Sequence, residues 1–225
     1  MRRIFVILLC ISLGLLPVEA AEGEKYVCLT FDDGPSGRFT RTLLKGLQKR
    51  NVKATFLLCG YRMAQYPELT QQIYDAGHEI GCHGFSHRDM GKLSRRDIAE
   101  EIQKTELLMP EGCRLTFLRP PGGVVTDSVR QVAQARGLAI LNWSVDPRDW
   151  ATRDTAAIES AVINRIRDGD VVLLHDMTES SVKAALDIID TLSAQGFRFV
   201  TASELARRKG ITPKPGKVYT GFRGN

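Results

Sequence analysis

Short apolar runs alternate with amphipathic stretches along most of the chain. The runs are Tyr26–Phe31, Ala54–Cys59, Glu79–Cys82, Leu115–Leu118, Leu138–Val145, Val171–Leu174 and Phe197–Val200. Their length and their turn-forming flanks predict buried β-strands. Between the first two, Leu43, Leu44 and Leu47 fall on one face of a helix expected over about Thr40–Arg50. A second helix is expected over Ser94–Met109, where Ser94 is followed three residues on by Asp97 in the manner of a capping box. Others are expected over Thr126–Arg136, Thr155–Arg167 and Ser181–Gln195, and Gly77, Gly137, Gly169 and Gly196 stand where a helix gives way to the next strand. Alternation of this kind predicts an α/β domain with a mostly parallel sheet, either open or closed into a barrel. No Gly-x-Gly-x-x-Gly follows the first strand and no phosphate loop occurs, so a nucleotide-binding version has no support. There is no internal repeat and no linker before residue 208, which implies one domain.

Composition adds limits. At 225 residues, 43% hydrophobic and 25% charged, the chain has the means to bury a sizeable core and is not of disordered type. Met1-Arg2-Arg3, then 13 residues from Ile4 to Leu16, then Pro17-Val18-Glu19-Ala20 describe a secretory signal peptide over 1–20, cleaved after Ala20. The run is too short to span a bilayer comfortably, and the expected location is periplasmic, cell-envelope or secreted. Residues 21–207 are expected to form the catalytic domain. The stretch 208–225, rich in proline, glycine and basic residues, reads as a solvated tail. From Ala206 on there are six basic residues and no acid, so residues 21–205 are close to neutral. With no nucleic-acid motif, a polyanion-binding domain is not indicated. Cys28, Cys59, Cys82 and Cys113 remain after processing. The first three fall in or at the end of apolar runs and no Cys-x-x-Cys occurs, so core thiols are expected rather than disulfides or a thiolate metal site.

The residues with chemistry collect in a few places. Asp32-Asp33 follow the first strand, His83 and His87 the third, Arg119 the fourth, Asp146 and Asp149-Trp150 the fifth, and His175 the sixth. All lie just beyond the C-terminal end of a strand, the rim on which parallel α/β folds gather functional groups. Two imidazoles four apart suit a shared metal, and a carboxylate of the Asp32-Asp33 pair can supply a third ligand, leaving positions open for water and substrate. The other aspartate is then a candidate general base. His175, with an ordinary pKa near neutrality, suits protonation of a leaving group, and Asp149 nearby would keep it charged. Arg119 suits holding a carboxylate, and Trp150 can stack on a sugar face. His78 has no partner in any motif and reads as structural. No Gly-x-Ser-x-Gly elbow supports a serine hydrolase. Asn142-Trp143-Ser144 matches a glycosylation acceptor but falls in an expected strand and is discounted.

Five segments together resemble the polysaccharide deacetylase family (carbohydrate esterase family four, the NodB-homology domain). They are Thr30-Phe31-Asp32-Asp33-Gly34-Pro35, His83 to His87, Arg119-Pro120-Pro121-Gly122, Asp146-Pro147-Arg148-Asp149-Trp150 and Leu173-Leu174-His175. The resemblance covers about residues 25–207. It implies a distorted (β/α) barrel of about seven units, a divalent metal, usually zinc with cobalt as an alternative, and removal of N-acetyl groups from amino-sugar polymers such as peptidoglycan or chitin-type glycans. It further implies Asp32 as base, Asp33, His83 and His87 as metal ligands, His175 as acid, Arg119 orienting Asp32, and Asp149 tuning His175. Trp150, Leu173 and the backbone of Gly122 would bind substrate. Two positions depart from the pattern: Gly84 stands where Ser or Thr is usual, removing a loop-bracing hydroxyl, and Gly122 stands where an aromatic ring is usual, widening the groove. The alternatives are an O-acetyl esterase on xylan and, in another class, an inactive glycan-binding module. A module of that kind has no need of both acid and base.

Overall fold

The computed structural model describes residues 23–223. The apolar segment 4–16 and the expected cleavage point after Ala20 lie outside the described residues. Eight strands form one sheet. They are β1 (Lys25–Asp32), β2 (Thr55–Leu58), β3 (Glu79–Cys82), β4 (Phe117–Leu118), β5 (Ala139–Leu141), β6 (Val171–His175), β7 (Phe197–Phe199) and β8 (Val218–Tyr219). The order is β6-β1-β2-β3-β4-β5-β8, with β7 on the first half of β1, and every ladder is parallel. A bridge between Val145 and Val172 joins the segment after β5 to β6 and curls the sheet into a distorted barrel. β1 is the hub. It pairs with β2, β6 and β7 and is buried from Tyr26 to Asp32, which is why its sequence runs apolar with little alternation.

Eight helices accompany the sheet: α1 (Arg38–Lys49), α2 (Gly60–Gln65), α3 (Pro67–Asp75), α4 (Arg95–Glu106), α5 (Asp127–Ala135), α6 (Thr155–Ile163), α7 (Glu179–Ala194) and α8 (Ala202–Arg208). Five begin at a side chain that accepts an N–H three residues on: Ser94, Thr126, Asp154, Thr178 and Thr201. The largest core cluster lies between β1, β2 and β6 and helices α1, α6 and α7. A second joins Cys28, Phe117, Leu141 and Val171 to α8 and Phe222, and a third lies under α4 and α5. Among the described residues Cys28, Cys59, Cys82 and Cys113 are free thiols, the first three buried. His78 is structural: its Nδ1 accepts the Ala54 N–H, and burial pushes its pKa down to about 4.

Two expectations need correction. The strand expected over Leu138–Val145 is interrupted, because the carbonyls of Leu141 and Asn142 turn to the Arg119 guanidinium before the chain rejoins the sheet at Val145. The stretch read as a solvated tail is folded. Val218–Tyr219 pairs with β5, Phe222 is fully buried against the rings of Phe117 and Tyr219, and Arg223 pairs with buried Asp170. Gly169, at φ +85°, makes room for this return: a Cβ there would lie 2.6 Å from the Phe222 carbonyl oxygen.

Candidate active site

The C-terminal ends of β1, β3, β4 and β6 bring the rim residues into one cleft of about 390 Å³. Asp32 closes β1, is buried, and is the register partner of His175 at the end of β6. Its Oδ1 accepts from Arg119 Nη1 at 2.6 Å. Arg119 is fully buried and spends its other contacts on fixed acceptors: Thr30 Oγ1 (2.8 Å) and the carbonyls of Leu141 (2.7 Å) and Asn142 (2.8 Å). The guanidinium is therefore held from three sides, and Asp32 is held by it. Oδ2 of Asp32 stays on the cleft side, 3.8 Å from His83 Nε2.

Asp33 turns the other way on a left-handed backbone, φ +71°. Its Oδ1 lies 3.3 Å from His83 Nε2 and 3.0 Å from His87 Nε2. His83 Nδ1 lies 2.8 Å from the Arg119 carbonyl. A carbonyl can only accept, so Nδ1 carries a proton, and Nε2 is the ring atom turned to Asp33, free to ligate a cation through its lone pair when one is bound. The three donor atoms are mutually within 4.8 Å, and Asp33 Oδ1 is a buried oxygen without a hydrogen-bond partner. Converging acceptors of this kind repel unless a cation lies among them. One carboxylate and two imidazoles with an open side fit a divalent metal.

His175 is held by Asp149, which is fully buried. Asp149 Oδ1 accepts from His175 Nδ1 and Oδ2 from the His175 backbone N–H, both at 2.8 Å. Burial alone would lower the imidazole. The hydrogen bond and charge of Asp149, with Asp32 and Asp33 behind them, raise it to about 9. Leu173, Gly122 and Trp150 line the cleft, Trp150 being 56% exposed. A Cβ on Gly122 would meet nothing within 4 Å, so the groove is open there.

Four residues near the site escaped the sequence reading. Trp143 lines the cleft beside Gly123, and Thr30 passes Arg119 on to the Val172 carbonyl. Asp176 is fully buried beneath Gly34, hydrogen-bonded by Thr40, and burial raises its carboxyl to about 6. Glu101 on α4 accepts from the loop between the two histidines. The signal for Glu101 was present: with Ile98, Ile102 and Thr105 it follows the helical i, i+3, i+4, i+7 spacing of a buried stripe.

The chain matches the family model for polysaccharide deacetylase over residues 19–141. It is 36% identical over 202 residues to a peptidoglycan-N-acetylglucosamine deacetylase of Bacillus cereus, covering 87% of this chain and 95% of that one. Identity to the peptidoglycan-N-acetylglucosamine deacetylase of Listeria monocytogenes is also 36%, over 88% of this chain but only 42% of that protein. The chain thus spans about two fifths of the length of some curated relatives it matches. Among solved structures, a family 4 acetyl xylan esterase from Clostridium thermocellum in complex with a cobalt ion superposes with a TM-score of 0.81 at 34% identity, covering 88% of this chain and 98% of that one. The chain belongs to the polysaccharide deacetylase family.

Proposed function

We propose that the protein is a hydrolase that removes N-acetyl groups from the amino sugars of a peptidoglycan- or chitin-type glycan. The observation that carries this reading is the convergence of an Arg-held aspartate, an Asp/His/His donor set and an Asp-held histidine in one cleft. Asp33, His83 and His87 would hold a divalent cation, zinc by preference, which supplies Lewis acidity when bound. Asp32, fixed through Oδ1 by Arg119, takes the proton of the attacking water on its cleft-side Oδ2. His175 stands beside it across the β1–β6 ladder and, charged through Asp149, delivers a proton to the departing nitrogen. Leu173 bounds the acyl side of the cleft, the Gly122 backbone faces the carbonyl oxygen, and Trp150 offers its exposed ring to a sugar.

Residues 1–20 are read as an export signal, which would deliver the catalytic chain to the envelope or medium where such glycans occur. The relatives named for peptidoglycan support that location. No helix among the described residues is long and apolar enough to cross a membrane. N-terminal sequencing of exported protein should begin at Ala21.

The deciding experiment measures acetate release from peptidoglycan, N-acetylglucosamine oligomers and acetylated xylan side by side, with added zinc or cobalt. Release from either amino-sugar substrate above that from xylan supports the reading. The reverse order makes the protein an O-acetyl esterase, and no release from any of them makes it a glycan-binding module.

A further inference from the structure

The two imidazoles that face Asp33 belong to one short loop, His83 to His87, and two of its residues lie on left-handed backbone: Gly84 at φ +76° and His87 at φ +58°. Such a segment has no strand or helix partner of its own, so its backbone groups must be satisfied from outside. On one side the carbonyls of Gly84 and Phe85 accept the N–H groups of Gly60 and Tyr61 at the start of α2, each at 2.9 Å. On the other side stands Glu101. Its Oε2 accepts the N–H of Phe85 at 2.9 Å and of Ser86 at 2.8 Å, and its Oε1 accepts the Ser86 hydroxyl at 2.6 Å.

Glu101 is buried on the inner stripe of α4 with Ile98, Ile102 and Thr105, and no ion pair to it occurs among the described residues. A carboxylate in such a place is expensive to desolvate unless it is fully hydrogen-bonded. The three donors of the loop are what satisfies it. Gly84 belongs to the same arrangement: a Cβ there would lie 3.3 Å from Glu101 Oε2 and 3.0 Å from Met90 Cε, on a backbone that already disfavours a side chain.

We propose that Glu101 is a positioning residue for the metal-binding loop. Its carboxylate locks the backbone of Phe85 and Ser86 so that both Nε2 atoms converge on Asp33 Oδ1, and Gly84 is the residue that admits it. The inference rests on the reading of Asp33, His83 and His87 as metal ligands. It gives the loop an external brace where Gly84, the residue directly after His83, has no hydroxyl.

The test is the affinity of the purified chain for Zn²⁺ by chelator competition, with the visible spectrum of bound Co²⁺ as a report of ligand geometry. Glu101→Ala is expected to weaken binding about 10–100-fold, as loss of a ligand-orienting partner does, and to alter the Co²⁺ spectrum. Glu101→Gln keeps the brace, since its amide oxygen can accept both N–H groups while its NH₂ donates to Ser86 Oγ. It should restore wild-type affinity and spectrum. Ser86→Ala removes one of three hydrogen bonds and touches no core residue, so it should weaken binding about fivefold. Unchanged affinity and spectrum in a folded Glu101→Ala protein would make Glu101 merely structural and overturn the proposal. If Glu101→Ala does not fold, wild-type binding by Ser86→Ala overturns it instead, as does a Glu101→Gln protein as weak as Glu101→Ala. Failure of the underlying reading looks different: a His83→Ala, His87→Ala protein would then bind Zn²⁺ as the wild type does.

Discussion

Neighbouring aspartates with opposite surroundings are the sharpest feature at the level of single residues. Asp32 and Asp33 are adjacent, yet one faces a buried guanidinium and the other two imidazoles. Asp33→Ala removes an anionic donor and should lower metal occupancy and acetate release together. Asp32→Asn keeps size and hydrogen bonding without basicity, so it should retain metal and lose turnover. Metal analysis beside acetate assays on the two variants checks both, and the opposite pattern exchanges the assignments. His175 gives a pH signature. Its protonated form is held up to about 9, so an acid role predicts a rate that is sustained at neutral pH and falls as pH rises through the alkaline range. Asp149→Asn removes the main raising influence and should move that alkaline limb to lower pH. His175→Ala should cost about 10²–10⁴-fold in turnover, the usual reach of general acid catalysis, with metal content unchanged.

At the level of elements, Asp32 and His175 end strands, Asp33, His83 and Arg119 directly follow one, and His87 and Asp149 stand on the connections beyond; the sequence made most of these elements legible. Strands β1, β2, β3, β6 and β7 and helices α1, α4, α5 and α7 stand within a few residues of where periodicity and caps put them, because a buried parallel strand and an amphipathic helix write their burial directly into the apolar pattern. The positions that line the candidate site were legible for a related reason, since most of them end or follow a strand. What periodicity could not convey was long-range bonding. Neither the break in the fifth run, caused by Arg119 taking two carbonyls, nor the two-residue strand β8 is a local property. In the C-terminal stretch Tyr219 and Phe222 are two rings among glycines, prolines and basic residues, and composition alone suggested solvent. The structure seats Phe222 between Phe117 and Tyr219. Phe222→Ala should therefore destabilise the fold by about 3–5 kcal/mol, the range for a fully buried phenylalanine. Denaturant unfolding measures it, and a loss below about 1 kcal/mol, the level of ordinary surface substitutions, would mean that the segment does not pack as described.

For the whole molecule, the donor set ties together parts of the chain that are far apart in sequence. Asp33 follows β1, while His83 and His87 follow β3, and they meet only when β2 is correctly inserted between those strands. The unfolded chain has no such site, so a cation that binds there binds the native state alone and must stabilise it. At a free concentration 100-fold above Kd the gain is about 2.7 kcal/mol. Without the cation, Asp33 Oδ1 faces only the two imidazoles, at 3.0 and 3.3 Å, in place of a divalent charge. Chelation should therefore do two things at once: abolish acetate release and lower the melting temperature, with zinc or cobalt restoring both. The two effects separate in the variants. Asp32→Asn retains the donor set, so its melting temperature should still rise with added zinc although its activity does not return. In Asp33→Ala neither should respond. Thermal melts of the three proteins across a zinc titration decide the matter, and an equal melting-temperature response in wild type and Asp33→Ala would mean that the stabilising cation sits elsewhere.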